Sequence, residues 1–322
     1  MERCLRSIHD QEGAPPHEVL VCSDGDPEVE AVVHAVVPGA RVAFVPGAHV
    51  GAARNVLIRQ ARGNILLFLD DDVVAHPRLL HRLVALAADH PDVAVFGGPN
   101  LTPPGSSLFQ VVQGGVLASM VGAGPVRRRY GRHPAGAAHE RFFTLCNMAV
   151  RRDAMVEFPV ELSGGEENAV LIELSRRGAA MLYDPGLAVY HERRARLRPF
   201  ARQMYKYGVG RGEVIVRDPA GAAPANFAPL GLFLYLAVAP VLAVILSPLV
   251  LGPAALYATA VGATGVKIAW PLRRVRAAAL GVLLVPVVHA CYAAGLVSGL
   301  ARRPDVAVEP IAVWAGEAGA VD

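Results

Sequence analysis

The stretch Gly63–Val73 holds an apolar run, Ile65-Leu-Leu-Phe-Leu69, that stops at three consecutive carboxylates, Asp70, Asp71 and Asp72. Five apolar residues are too few for an ordinary helix and read as a buried strand. Three negative charges cannot end inside an apolar core. They therefore mark the strand's C-terminal mouth, where open α/β sheets bind ligands. Adjacent carboxylates repel one another, and a divalent cation with oxygen ligands answers that repulsion. The other reading is a polar turn with an acidic cap, leading into a helix from about Pro77. A second acidic pair, Glu166-Glu167, follows Ser163-Gly-Gly165. Ser163 and Glu166 have capping-box spacing, which explains Glu166 but not Glu167. Asp24 lies in an acid–glycine turn, Ser23-Asp24-Gly25, and Arg54 lies in Gly51-Ala-Ala-Arg-Asn55 at a helix start. His191 follows a short strand over 187–190.

The elements that must position these groups follow from periodicity. Strands are expected near residues 18–23, 41–45, 65–69, 93–96, 142–150, 181–184 and 187–190. Helices are expected over 2–11, 27–37, 52–62, 77–89 and 166–177. Alternating strands and helices imply an α/β fold with a mostly parallel sheet and helices on both faces. The chain opens on a helix with Leu5 and Ile8 on one face, with no strand ahead of it. Residues 97–140 show little pattern and read as a long loop around Arg127-Arg-Arg129.

The chain has 322 residues, 53% hydrophobic and 18% charged. The apolar excess is concentrated in 227–300, where 227–251, 254–270 and 277–300 are candidate spans, about 20 apolar residues being enough to cross a bilayer. Two or three spans are expected, three being preferred. Arg273, Arg274 and Arg276 then fall on the cytosolic side by the positive-inside rule. Residues 193–217 mix basic and aromatic side chains, as interfacial segments do, with Gly208, Gly210 and Gly212 expected to interrupt the helix. The organisation read from this is a catalytic domain at 1–192, a basic interfacial segment and linker at 193–226, a transmembrane region at 227–301 and a tail at 302–322. Four isolated cysteines, with no CxxC pair, read as reduced and place the catalytic domain in the cytosol. A net charge of +3 without a recognition motif argues against a nucleic-acid partner. His289, within the third span, reads as a packing residue with a local hydrogen bond.

Taken in order, Ser23-Asp24-Gly25, Gly51-Ala-Ala-Arg-Asn55, Asp70–Asp72, Gly165-Glu-Glu-Asn168 and His191, followed by C-terminal spans, resemble the family 2 glycosyltransferases with the glycosyltransferase-A fold. The bacterial membrane-anchored polysaccharide-assembly members are the nearest in pattern. The resemblance covers roughly residues 2–212 and lacks the family's first N-terminal strand. It implies a glycosyltransferase-A-like sheet with flanking helices and C-terminal transmembrane helices. It implies that Asp24, Arg54, Asp70 and Asp71 contact the nucleotide sugar. Asp70, Asp72 and His191 would hold Mg²⁺ or Mn²⁺. Glu167, with Glu166 beside it, would supply the general base, as Glu in place of the family's usual Asp. Gln203-Met-Tyr-Lys-Tyr207 is similar to a Gln-x-x-Arg-Trp motif and places Gln203, Lys206 and Tyr207 near the acceptor and membrane.

The activity implied is inverting transfer from a nucleotide-diphosphate sugar to a lipid-linked or polysaccharide acceptor. It would occur at the cytosolic face of a bacterial inner membrane, with membrane lipids as further partners. The alternative implied by the missing strand is a catalytically degenerate membrane scaffold.

Overall fold

A computed structural model of the chain describes residues 1–24, 26–47, 50–302 and 313–314. They form two compact units. One comprises 1–101, 131–192 and 313–314; the other comprises 102–130 and 193–302.

The first unit opens on α1 (Glu2–His9), as expected, with Cys4, Leu5 and Ile8 buried. Then come β1 (Leu20–Ser23), α2 (Pro27–Val36), β2 (Arg41–Phe44), α3 (Val50–Gln60), β3 (Ile65–Phe68), β4 (Val73–Ala75), α4 (Leu79–Asp89), β5 (Val93–Gly97) and β6 (Asn100–Leu101). After residue 130 the unit resumes with β7 (Gly136–Ala137), β8 (Met148–Arg151), α7 (Glu166–Arg176), β9 (Ala180–Tyr183) and β10 (Val189–His191), and β11 (Val313–Trp314) belongs here too.

The main sheet has the order β3-β8-β5-β9-β7. Its pairings are mixed: β5 and β9 are parallel, while β8 is antiparallel to both β3 and β5. Side chains alternate across it as a period of two requires. Val95, Met148 and Val150 pack with Leu171 and Leu174 of α7 on one face. Phe96 and Ala149 pack with Leu83 and Leu86 of α4 on the other. The expected helix-covered sheet is therefore present, but it is mixed rather than mostly parallel, since only β5 and β9 pair in parallel within it. β1 and β2 pair in parallel in a separate sheet with β11, so β1 and β3 belong to different sheets.

A third sheet, β4-β10-β6, is absent from the sequence reading. There the chain was expected to pass from the acidic turn straight into a helix at Pro77. Instead Val73–Ala75 form a strand first, and the helix begins at Leu79.

The second unit contains α5 (Leu108–Leu117), α6 (Met120–Ala123), a 3₁₀ turn at Gly124–Arg129, α8 (Leu197–Arg217), α9 (Pro224–Ile245), α10 (Gly252–Leu272) and α11 (Val275–Ala301). The expected long loop at 97–140 is thus helical over most of 108–129. A capping box starts α5, with the Ser107 hydroxyl and the Gln110 side chain each meeting the other residue's backbone amide. The segments Pro224–Ile245, Pro248–Leu272 and Val275–Ala301 are long and apolar enough to cross a membrane. Residues 108–117 and 120–129 form a pair bent by 70° that qualifies by the same measure if taken as one broken span. His289 on α11 lies 3.0 Å from the Tyr257 hydroxyl and 2.8 Å from the Val121 carbonyl, a satisfied packing histidine.

Contrary to expectation, α8 runs unbroken through its glycines. They serve contact with α11. A Cβ on Gly208 would stand 2.2 Å from the Tyr292 carbonyl oxygen, and one on Gly295 would stand 2.0 Å from that of Tyr205. Two backbones approach this closely only where side chains are missing. Gly295→Ala should force the helices apart and cost about 1–3 kcal/mol or more, as overpacking does. Gly262 on α10 meets nothing within 4 Å, so Gly262→Ala should be neutral or slightly stabilising. Thermal unfolding of the two variants in detergent checks the contrast.

Candidate active site

The site in the first unit is built around the end of β3. Asp70, Asp72 and His191 each present one ligand atom, and these atoms lie within 4.8 Å of one another. Strand pairing explains why residues so distant in sequence meet: β4 runs antiparallel to β10 with Val73 opposite His191. That register sets His191 Nε2 3.1 Å from Asp72 Oδ1. Asp71 is exposed and is not part of this three-donor group.

Burial pushes the Asp70 carboxyl above its ordinary value; Arg54 and His191 hold it down, and Asp72 and Asp71 push it further up. The folded chain thus disfavours the charge on Asp70, and a cation would relieve that. Burial lowers the His191 pKa, but hydrogen bonds to Asp72 and Cys146 outweigh it and bring the ring up to about 10. Nδ1 of His191 is buried with no oxygen or nitrogen partner among the described residues, and the Cys146 thiol is its polar neighbour. Two carboxylates and an imidazole suit Mn²⁺ and tolerate Mg²⁺, so the donor set fits a divalent ion.

The pH dependence follows from the raised histidine. Its protonated form stabilises the metal-free fold fully below about pH 6.5, and this contribution is lost as pH rises towards 10. A metal must displace that proton. Mn²⁺ affinity, read from the shift in thermal unfolding, should therefore strengthen with pH by up to about tenfold per unit between pH 7 and 9.

Arg54 links the metal ligands to α7. Its guanidinium lies 3.7 Å from Asp70 and makes a short ion pair with Glu166. The sequence motif around it has a physical reason. A Cβ at Gly51 would lie 2.8 Å from the Pro159 carbonyl, so α3 can lean on that segment only with glycine there. Asn55 then clamps Phe158: its amide donates to the Phe158 carbonyl at 2.9 Å, and its oxygen accepts from the Phe158 amide at 2.7 Å. This anchors Arg54, whose guanidinium stands 5.8 Å from the Phe158 ring centre.

Glu166 is buried, and the residue at the start of its helix is Gly165 rather than the expected Ser163. Gly165 has φ 76°, and Glu166 pairs with Arg54. Glu167 is the next residue, half-buried, accepting from the Asn168 amide at 3.0 Å. Arg54→Ala would leave Glu166 a buried carboxylate without this counter-charge. It should cost about 3 kcal/mol or more, and adding Glu166→Gln should restore part of the loss. The unfolding midpoints of the single and double variants test this.

Asp24 follows β1 and is exposed. It shares the surroundings of Cys22 with Arg54: burial pushes that thiol up to about 11, Arg54 lowers it and Asp24 raises it. Gln203, Lys206 and Tyr207 lie on α8 in the second unit, where the Gln203 amide donates to the Tyr207 hydroxyl at 3.2 Å and Lys206 is exposed. Sequence reasoning missed Asn55, Phe158 and Cys146. Asn55 stood inside the quoted motif, whereas nothing in the spacing points to Cys146, which only the folded sheets bring to His191.

Residues 1–208 match the family described as Glycosyltransferase like family 2. The chain is 25% identical over 239 residues to the succinoglycan biosynthesis protein ExoM of Rhizobium meliloti, covering 69% of this chain and 72% of that one. Its fold is similar to that of the mannosyltransferase PcManGT from Pyrobaculum calidifontis, solved with GDP-Man and Mn²⁺. The TM-score is 0.55 at 20% identity, over 93% of this chain and 83% of that one. Domain match and fold agree with the geometry around Asp70, Asp72 and His191: the chain belongs to the glycosyltransferase-like family 2 and is a glycosyltransferase with a glycosyltransferase-A-type catalytic unit.

Proposed function

We propose that the protein is an inverting, metal-dependent glycosyltransferase that moves a sugar from a nucleotide-diphosphate donor onto a lipid-linked or polysaccharide acceptor. The reaction would take place at the cytosolic face of a bacterial inner membrane, with the chain crossing that membrane more than once. The observation that carries this reading is the convergence of Asp70, Asp72 and His191 within 4.8 Å, with Arg54 joining Asp70 to the start of α7.

Asp70, Asp72 and His191 would hold Mg²⁺ or Mn²⁺, whose charge neutralises the diphosphate as it leaves. Arg54 adds fixed positive charge on the same side. Asp24 and Asp71 would meet the nucleotide sugar. Glu167 would accept the acceptor hydroxyl's proton while that oxygen bonds to the anomeric carbon and the carbon–diphosphate bond breaks. A single displacement inverts the anomeric centre.

The catalytic domain would span 1–192, with 193–226 as a basic interfacial segment holding Gln203, Lys206 and Tyr207, 227–301 as the transmembrane region and 302–322 as a tail. Polysaccharide assembly is favoured by the likeness to a protein of succinoglycan biosynthesis, and Mn²⁺ by the PcManGT complex.

The test is nucleoside-diphosphate release by the purified protein in detergent, given a panel of GDP- and UDP-sugars with membrane lipid extract as acceptor. Release should require Mn²⁺ or Mg²⁺ and stop in EDTA. NMR of the anomeric proton in the product should report inversion. Release that persists in EDTA would overturn the metal assignment.

A further inference from the structure

The acids between β3 and β4 lie where the chain crosses from the main sheet to the β4-β10-β6 sheet. One edge of β4 pairs with β10. Among the described residues no strand pairs with its other edge, and such an edge leaves amides without partners. Amides alternate along a strand. That of His76 donates towards β10, to the Ala188 carbonyl at 3.3 Å, so that of Ala75 faces the open edge. Helix α1 covers this edge. The Ser7 hydroxyl accepts from the Ala75 amide at 3.0 Å and donates to the Cys4 carbonyl at 2.7 Å.

The same helix holds the chain on both sides of Asp72. Ahead of it, the Cys4 thiol donates to the Asp70 carbonyl at 3.4 Å. Beyond it, the buried Gln11 side chain ties the end of α1 to the chain that leaves β4. Its nitrogen donates to the Ser7 and His76 carbonyls, each at 2.8 Å, and its oxygen accepts from the Leu80 amide at 2.9 Å. Apolar packing supports the contact: Cys4 and Ile8 lie in one cluster with Val73, Ala75 and Leu79. Such packing has no direction of its own, whereas hydrogen bonds fix where α1 sits along β4. Leu5 serves a different contact, with Val33 and Val36 of α2 and Val42 of β2.

We propose that Ser7 and Gln11 are positioning residues for the divalent metal. They hold β4 from its open edge, and Asp72 with it, and so set how tightly Asp70, Asp72 and His191 grip the ion. Neither is one of the three donors; they act through the backbone of 75–80. The proposal rests on the metal reading given under Proposed function.

Titration of the full-length protein in detergent with Mn²⁺ alone, the free ion being counted by electron paramagnetic resonance, tests it. Ser7→Ala and Gln11→Met should each weaken Mn²⁺ binding roughly tenfold, the lower end for groups that orient metal ligands. Ser7→Thr keeps the hydroxyl and should bind like the parent. Leu5→Ala separates positioning from stability. It should lower the unfolding midpoint at least as far as Ser7→Ala, with Mn²⁺ affinity kept. Equal losses of affinity in Leu5→Ala and Ser7→Ala would reduce the effect to a general loosening of the fold and overturn the proposal. Parent-like affinity in either Ser7→Ala or Gln11→Met removes that residue from the role, and in both it overturns the proposal. Should Ser7→Ala not fold, Gln11→Met decides alone. A parent protein that binds no Mn²⁺ would sink the metal reading itself, a result distinct from parent binding that the variants leave unchanged.

Discussion

Asp72→Ala is expected to lower sugar transfer on the order of 10³-fold, the scale of removing a group that anchors charge at a reacting centre. Two features concentrate the effect on this residue. Its carboxylate is one of three ligand groups gathered within 4.8 Å, and the same carboxylate holds His191 at 3.1 Å. Removing it takes one ligand away and releases a second. Added Mn²⁺ should therefore recover little, and Mn²⁺ should no longer raise the thermal unfolding midpoint. Asp71→Ala makes the comparison informative. Asp71 is exposed and outside the three-donor group, so its loss should cost about tenfold or less, chiefly in donor KM. Steady-state transfer assays across a Mn²⁺ titration read both variants. Equal losses at Asp71 and Asp72 would overturn the assignment of Asp72 as a ligand.

Glu167→Gln is expected to lower kcat by roughly 10²- to 10⁴-fold, the usual worth of a positioned general base, while leaving donor affinity and unfolding midpoint nearly unchanged. Glu166→Gln should behave differently, because Glu166 is the buried partner of Arg54. Its loss should shift stability and donor binding, since Arg54 then keeps only its approach to Asp70 at 3.7 Å. Glu167→Asp should fall between parent and Gln, because the carboxylate is retained but set back by one methylene. Calorimetric donor titration beside transfer kinetics separates these outcomes. An unchanged kcat in Glu167→Gln would remove this residue from the reaction.

The catalytic unit was legible in the sequence wherever a local pattern carried the information. Strand β3 with its acids, the Arg54 helix and the Glu166–Glu167 helix start were all found near their observed positions. The meeting of Asp72 with His191 could be expected only from resemblance, because it depends on the β4–β10 register, and β4 is three residues long. Glu166 shows the opposite failure. Local spacing put Ser163 at the cap, whereas Gly165 takes that place and Glu166 pairs with Arg54. α5 was missed although Ser107 and Gln110 form a capping box, because Gly114 and Gly115 in its middle weaken helix propensity. The α8 glycines were read as breaks for the same reason, whereas packing against α11 more than offsets their propensity cost.

That contact bears on how the second unit is made. Helix α8 ends at Arg217, yet its glycine face meets residues of α11, and α11 begins only at Val275. During synthesis α8 emerges well before the helix that seats it. Contacts so distant in sequence form late, because the intervening chain must first be closed into a loop. A chain stalled before Val275 would carry α8 as an undocked basic helix.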